Sequence, residues 1–307
     1  MRNLRSLSMS KLQVAALLGM GAPPILIHLL DFVDQNLDKE CGLHFRDLQC
    51  AEFFGGCESI VRGFRELGSS AQSCDITKDM VTQDLSSTMG LLRFMRLALR
   101  CQEGALGVLG TPCNSFGWMA TSQHCRSYQN PWGDQSYPWV VLGNILASRS
   151  CLIILVLIAR SVFWLVENPD HSQLRLLPPL VHIMSIPEIL PLRVSWAMGY
   201  FGGWSIKPEM GFGNWPWMPY LNQKITKAMR LQIRQRAEVQ RKQMVKTTVS
   251  KSSNKKSVSG GADMGASAAY PRDFGRHVAS SHVSIINDPS TTLPDLQALV
   301  NGGFRDP

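Results

Sequence analysis

The chain has 307 residues and a net charge of +8, and its 45% hydrophobic content can fill the core of one large domain with tails or of two small domains. Between Leu221 and Lys256 eleven Lys and Arg face one acid, Glu238, and the residues from Ser257 onward sum to about −2, so residues 1–220 are near neutral and the basic character belongs to a tail. Eight cysteines (Cys41, Cys50, Cys57, Cys74, Cys101, Cys113, Cys125 and Cys151) without a CxxC pair exclude the disulfide framework of a small secreted domain and the paired spacing of a zinc site. Reduced thiols in an intracellular protein, nuclear or organellar and not secreted, with no bound metal, are expected.

Residues 1–45 read as an N-terminal extension. It carries Arg2, Arg5 and Lys11 with no acid before Asp31, as organelle transit peptides do, but Pro23-Pro24 breaks its apolar stretch. A loose start leading into a helix from about Pro24 to Lys39 accounts for it more simply, since Ile25, Leu29, Phe32 and Val33 recur at helical spacing.

Residues 46–220 read as one α/β domain. An apolar run from Leu48 ends in Phe53-Phe54-Gly55-Gly56, and Ile60, Val61, Phe64 and Leu67 then form one face of a helix. Strand, glycine turn and helix open a nucleotide-type βαβ unit, in which the turn lets backbone approach a ligand. A second short strand ends at Asp75, about 20 residues beyond the turn, where an acid suits a ribose hydroxyl pair. Asp84-Leu85 is expected to end a third strand, and Ser86-Ser87 to cap a helix running to Arg100.

Ala105 to Leu109 reads as a short buried strand, closed by Gly110-Thr111-Pro112-Cys113. A thiol beyond the carboxyl end of such a strand faces the place where open α/β sheets bind ligands. The polar, aromatic segment from Ala120 to Pro138 reads as a loop. Val140 to Ala159 is strongly apolar, but Arg149 and Arg160 interrupt it, so a core helix is expected rather than a membrane span. Ser161 to Val166 then reads as a buried strand ending in Glu167-Asn168-Pro169.

Residues 221–256 read as a basic segment, with a helix from Tyr220 to Val245 presenting cations such as Arg230, Arg234 and Arg236 to nucleic acid or to water. Residues 257–307, rich in Ser, Gly and Ala, are expected to lack order.

The order of these parts resembles the cytosine-5 DNA methyltransferases, over roughly residues 48–210. The resemblance rests on the Phe54-Gly55-Gly56 turn, an acid after the second strand, Asp84-Leu85, Gly110-x-Pro112-Cys113-x-x-Phe116, and Glu167-Asn168 after a later strand. It implies a Rossmann-like, mostly parallel sheet with helices on both faces and S-adenosylmethionine as cofactor. It also implies that Phe54, Gly55, Gly56 and Pro112 line the cofactor site, that Asp75 holds the ribose, and that Asp84 approaches the adenine. Cys113 becomes the nucleophile that adds to carbon 6 of cytosine, and Glu167 the acid on ring nitrogen 3. The chain departs from the family at Glu58-Ser59, where a Gly-Gly is usual, and around Gly199 to Pro208, where Lys207 alone keeps a cation. The family's closing Gly-Asn-Ser is missing. An active or degenerate enzyme, a non-catalytic nucleic-acid-binding or scaffold protein that keeps the fold, and a membrane-associated protein using residues 140–166 all remain open.

Overall fold

The computed structural model describes residues 46–287 apart from 187–188, 224, 243–244, 250–255, 261–262 and 264. The expected extension of 1–45 with its helix, and residues 288–307 of the tail, lie outside the described residues. Six strands form one sheet: β1 (Leu48–Phe53), β2 (Ala71–Cys74), β3 (Cys101–Leu109), β4 (Phe163–Pro169), β5 (Leu192–Ala197) and β6 (Pro208–Gly213). Their order is β2-β1-β3-β4-β6-β5, with β1 to β4 paired in parallel and β6 antiparallel to both its neighbours. Among the described residues there are seven α-helices: α1 (Ser59–Glu66), α2 (Thr88–Leu99), α3 (Thr121–His124), α4 (Pro138–Ala159), α5 (Pro178–Met184), α6 (Lys227–Val239) and α7 (Arg272–Asn287). The protein is thus α/β, with a mixed, mostly parallel sheet.

Because alternate strand residues point to opposite faces, the sheet divides two cores. On one face Phe53, Leu109, Trp164 and Val166 pack with Phe94 of α2, Leu157 of α4 and Leu180 of α5. On the other, Cys50, Leu106, Val108 and Leu165 pack with Phe64 of α1 and with Phe274, Val278 and Ala279 of α7. Burial on both faces explains why β3 reads as a continuous apolar run. α4 is long and apolar enough to cross a bilayer, yet its Ile153, Ile154 and Leu157 are buried in the first core. Its interrupting Arg149 has a structural use, donating from Nη1 to the carbonyls of Leu85 and Ser87 just before α2.

Three expectations are corrected. No strand ends at Asp84, because residues 75–87 form a run of turns. Each aspartate there accepts from backbone just ahead of it: Asp75 from Thr77, Asp79 from Val81 and Thr82, and Asp84 from Ser86. Such local bonds compete with strand ladders. Ser87 does cap the following helix, its hydroxyl accepting from the Gly90 amide at 2.9 Å. The basic helix is shorter than expected, running only from the Thr226 cap to Val239, and a hairpin of β7 (Val245–Val249) and β8 (Lys256–Gly260) follows it. Finally, residues 272–287, placed by composition in a disordered tail, form α7 and fill the second core. There the Phe274 ring stacks on Trp196 at 5.8 Å, and His282 sits among Phe64, Phe163 and Trp215. Burial lowers the His282 pKa to about 4, so it enters the core neutral.

Candidate active site

From β1 the chain moves to β2 on one side and then returns to place β3 on the other. A crevice forms at the carboxyl ends of strands where the order reverses in this way. A cavity of about 360 Å³ lies there, walled by the ends of β1 to β4 and by residues from the start of α7's approach.

The β1 end turns sharply because Phe54 takes a left-handed φ of 61°, a conformation costly for a side chain of its size. Its ring packs edge-on against Phe94 at 5.5 Å. A Cβ on Gly55 would stand 2.8 Å from Ser73 Oγ, whereas one on Gly56, at φ 42°, would meet nothing within 4 Å. Gly56 therefore leaves open space beside the turn. Its amide donates to Asp75 Oδ2 at 2.9 Å, while Oδ1 accepts from the Thr77 amide and hydroxyl. Glu58 and Ser59, which replace small residues of the resembled family, do not line the cavity. Glu58 turns to Ser73 Oγ at 3.0 Å and to Lys78, whose hydrogen bond holds its carboxyl below the usual range. Ser59 Oγ donates to the Tyr270 carbonyl at 2.6 Å.

The Pro-Cys turn after β3 is pinned from β4 and from the following loop. Asn168 Nδ2 donates to the Thr111 carbonyl at 2.7 Å. Arg126, buried without a carboxylate partner among its bonds, donates to the Ser115 carbonyl and hydroxyl, to the Pro131 carbonyl and to Asn144 Oδ1. Its guanidinium lies 4.1 Å from the Phe116 ring centre. Lysine has one point charge where this site uses a fork of donors. Arg126→Lys is therefore expected to lower unfolding stability by about 2 kcal/mol, through buried acceptors left unpaired. Urea melts of the two proteins check this, and equal midpoints would show that the network carries little.

Cys113, in the turn beyond β3, and Glu167, on the neighbouring β4, line the same cavity. Burial, and then the Glu167 charge, push the Cys113 thiol up to about 11, with Lys207 opposing them. Glu167 Oε2 accepts from the Tyr270 hydroxyl at 2.6 Å, and Glu167 Oε1 is buried without a hydrogen-bond partner. Glu209, fully buried on β6, pairs with Lys207 Nζ at 2.7 Å. Burial, and then the charge and hydrogen-bonding contact of Glu167, raise the Glu209 pKa, with Lys207 opposing them. A thiol, a carboxyl, a phenol and an ammonium thus meet around one cavity, which suits nucleophilic addition assisted by an acid.

The cavity collects Phe54, Gly55, Gly56, Asp75, Pro112, Cys113, Glu167 and Lys207. It does not collect Asp84, whose carboxylate is taken by the Ser86 amide and hydroxyl. Nor does it collect Arg230, Arg234 and Arg236, which ride on α6, where Ile233 is the buried residue. Neither models of known protein families nor curated protein sequences give this chain a match. Sequence reasoning missed Tyr270 and Glu209. Tyr270 stands in a stretch without apolar periodicity, and Glu209 occupies an otherwise ordinary strand, so neither carries a local signal.

Proposed function

We propose that this chain is a class I methyltransferase-like protein whose cavity takes S-adenosylmethionine and a cytosine of nucleic acid. The observation that carries the reading is the gathering of the Gly55-Gly56 turn, Asp75, Cys113 and Glu167 around one cavity at the point of strand reversal. The β2-β1-β3-β4 portion, with helices on both faces, supports a Rossmann-like description, from which the antiparallel β6 departs.

The residues present fit the cofactor. The space beside Gly56 admits a ligand against backbone, and Asp75 Oδ2, which accepts one bond, keeps capacity for a ribose hydroxyl. The volume of about 360 Å³ falls within the range of small-molecule sites. When bound, the cofactor supplies an electrophilic methyl group. Cys113 Sγ adds as thiolate to carbon 6 of the base, which makes carbon 5 nucleophilic. Through a shared proton Glu167 hydrogen-bonds ring nitrogen 3 and stabilises the charge that the addition pushes into the ring. Once carbon 5 has been methylated and has lost its proton, the thiolate leaves. Within a duplex the base must first leave the stack, and the exposed Arg230 and Arg234 of α6 are suited to hold phosphates.

A second reading, a scaffold that keeps the fold without chemistry, draws on the Cys113 thiol. With its pKa at about 11, little thiolate is present near neutrality. Calorimetry with S-adenosylmethionine tests the preferred reading first. Wild type is expected to bind and Gly56→Trp, which fills the open space, to bind no longer. A DNA oligonucleotide carrying several 5-fluorocytosines, whose fluorine cannot leave as a proton does, is expected to become covalently trapped by wild type and not by Cys113→Ser. Cofactor binding without trapping would favour the scaffold, and absence of both would remove the methyltransferase reading.

A further inference from the structure

The segment leading into α7 delivers a side chain into the candidate site from 103 positions beyond the acid it meets. Tyr270 is fastened at both ends. Its carbonyl accepts from Ser59 Oγ at 2.6 Å and from Cys57 Sγ at 3.6 Å, and its ring packs edge-on against Phe274 at 5.4 Å. Its hydroxyl stands 2.8 Å from where a Cβ on Gly110 would be, so a side chain at that strand end would displace it. The phenol therefore occupies one fixed place beside Glu167. By taking Oε2 it leaves Oε1 as the oxygen that Glu167 offers to a ligand, beside the Glu209 carboxyl that also approaches Glu167. Asn168 Oδ1, on the same cavity wall, is buried without a partner.

We propose that Tyr270 is a positioning residue: its hydroxyl locks the Glu167 carboxyl in one rotamer, so that the ring-nitrogen-3 and amino edge of cytosine meets a carboxyl already set in place. The proposal rests on the methyltransferase-like reading of the site. A carboxyl free to rotate would have to be fixed at the moment of binding, at a cost in side-chain entropy. A phenol is a suitable clamp because it stays protonated here. Burial first, and then Glu167, hold the Tyr270 pKa well above its ordinary value, with Glu52 and Glu209 adding to them. The charged and titratable groups facing this place are Glu52 on β1, Cys113 beyond β3, Glu167 on β4, and Lys207 and Glu209 at β6.

Two measurements on the full chain test it. In protein labelled with difluorotyrosine, whose fluorines make phenols more acidic, Tyr270 should give a late ionisation step, above the pH at which free difluorotyrosine ionises. The late step should vanish in Tyr270→Phe and move to lower pH in Glu167→Gln, which removes the charge. A late step unmoved by Glu167→Gln would overturn the contact, and this arm does not depend on Tyr270→Phe folding. In the second measurement, trapping on the 5-fluorocytosine oligonucleotide should slow by about tenfold or more in Tyr270→Phe. Trapping at the wild-type rate would overturn the positioning role alone. If wild type is never trapped, the functional reading falls and the role falls with it, even where the titration upholds the pair.

Discussion

Gly275→Val is expected to unfold in urea with about 3 kcal/mol less stability than wild type and to release α7 from α1. The two helices cross with their backbones in contact. A Cβ on Gly275 would stand 2.0 Å from the Ser59 carbonyl oxygen, and one on Gly63 would stand 2.5 Å from the Gly275 carbonyl oxygen. Both obstacles are main chain, which cannot swing aside as a flexible side-chain end does. To admit valine the helices must part, and Phe274, Val278 and Ala279 then lose their contacts with the second core. Parting would also break the Ser59 bond to the Tyr270 carbonyl, so the wall of the candidate site would loosen with the helix. Hydrogen exchange across residues 272–287 should rise in the variant, and Ser280→Ala, on the exposed side of α7, should stay within about 0.5 kcal/mol of wild type. A Gly275→Val protein with a wild-type midpoint and unchanged exchange would refute the crossing.

The second large effect is a pH dependence carried by Glu52. This residue lies on β1 inside the domain, and its Oε2 accepts from the Val61 amide at 3.1 Å in the first turn of α1. It does the work of a helix cap, since Glu58 at the cap position makes no side-chain bond of that kind. Burial nonetheless dominates and raises its pKa from 4.5 to about 7. The folded state therefore holds a proton that the unfolded chain has released, and stability falls as pH rises. The contribution is fully present below about 4.5, declines as pH passes through about 7, and is absent above that. A shift of this size corresponds to about 3 kcal/mol. Glu52→Gln keeps an acceptor for the amide but cannot ionise, so the difference in unfolding free energy between wild type and variant should change by about that amount between pH 4.5 and 8. Taking the difference cancels Glu209, which shifts in the same direction in both proteins. Parallel stability curves would show that Glu52 does not titrate in this window.

Local signals explain what could be read in advance. The ends of β1, β3 and β4 were legible because each is an apolar run closed by glycine or proline, and both residue types constrain the backbone where they stand. The third strand expected at Asp84 failed for a local reason that composition hides, since aspartates at 75, 79 and 84 each capture a nearby amide and hold the chain in turns. α7 failed for a non-local one. Its Ser, His and Ala content resembles that of a solvated tail, and its burial depends on two glycines that allow close approach to a helix more than two hundred positions earlier.

What the amino-acid order determined by itself is the set of strand ends and the side chains on them: Phe54 with its glycines, Asp75, the Pro112-Cys113 turn and Glu167. Sheet formation brings those ends together, because parallel strands share one carboxyl edge and a reversal of order opens a crevice there. Only the tertiary structure decided that Tyr270 bonds Glu167, that Glu209 pairs with Lys207, that Asp75 spends part of its carboxylate on the glycine turn, and that Asp84 stays outside. Those outcomes depend on which distant segments dock beside one another. Docking is set by burial and close packing summed over both cores, and no short window of sequence carries that sum.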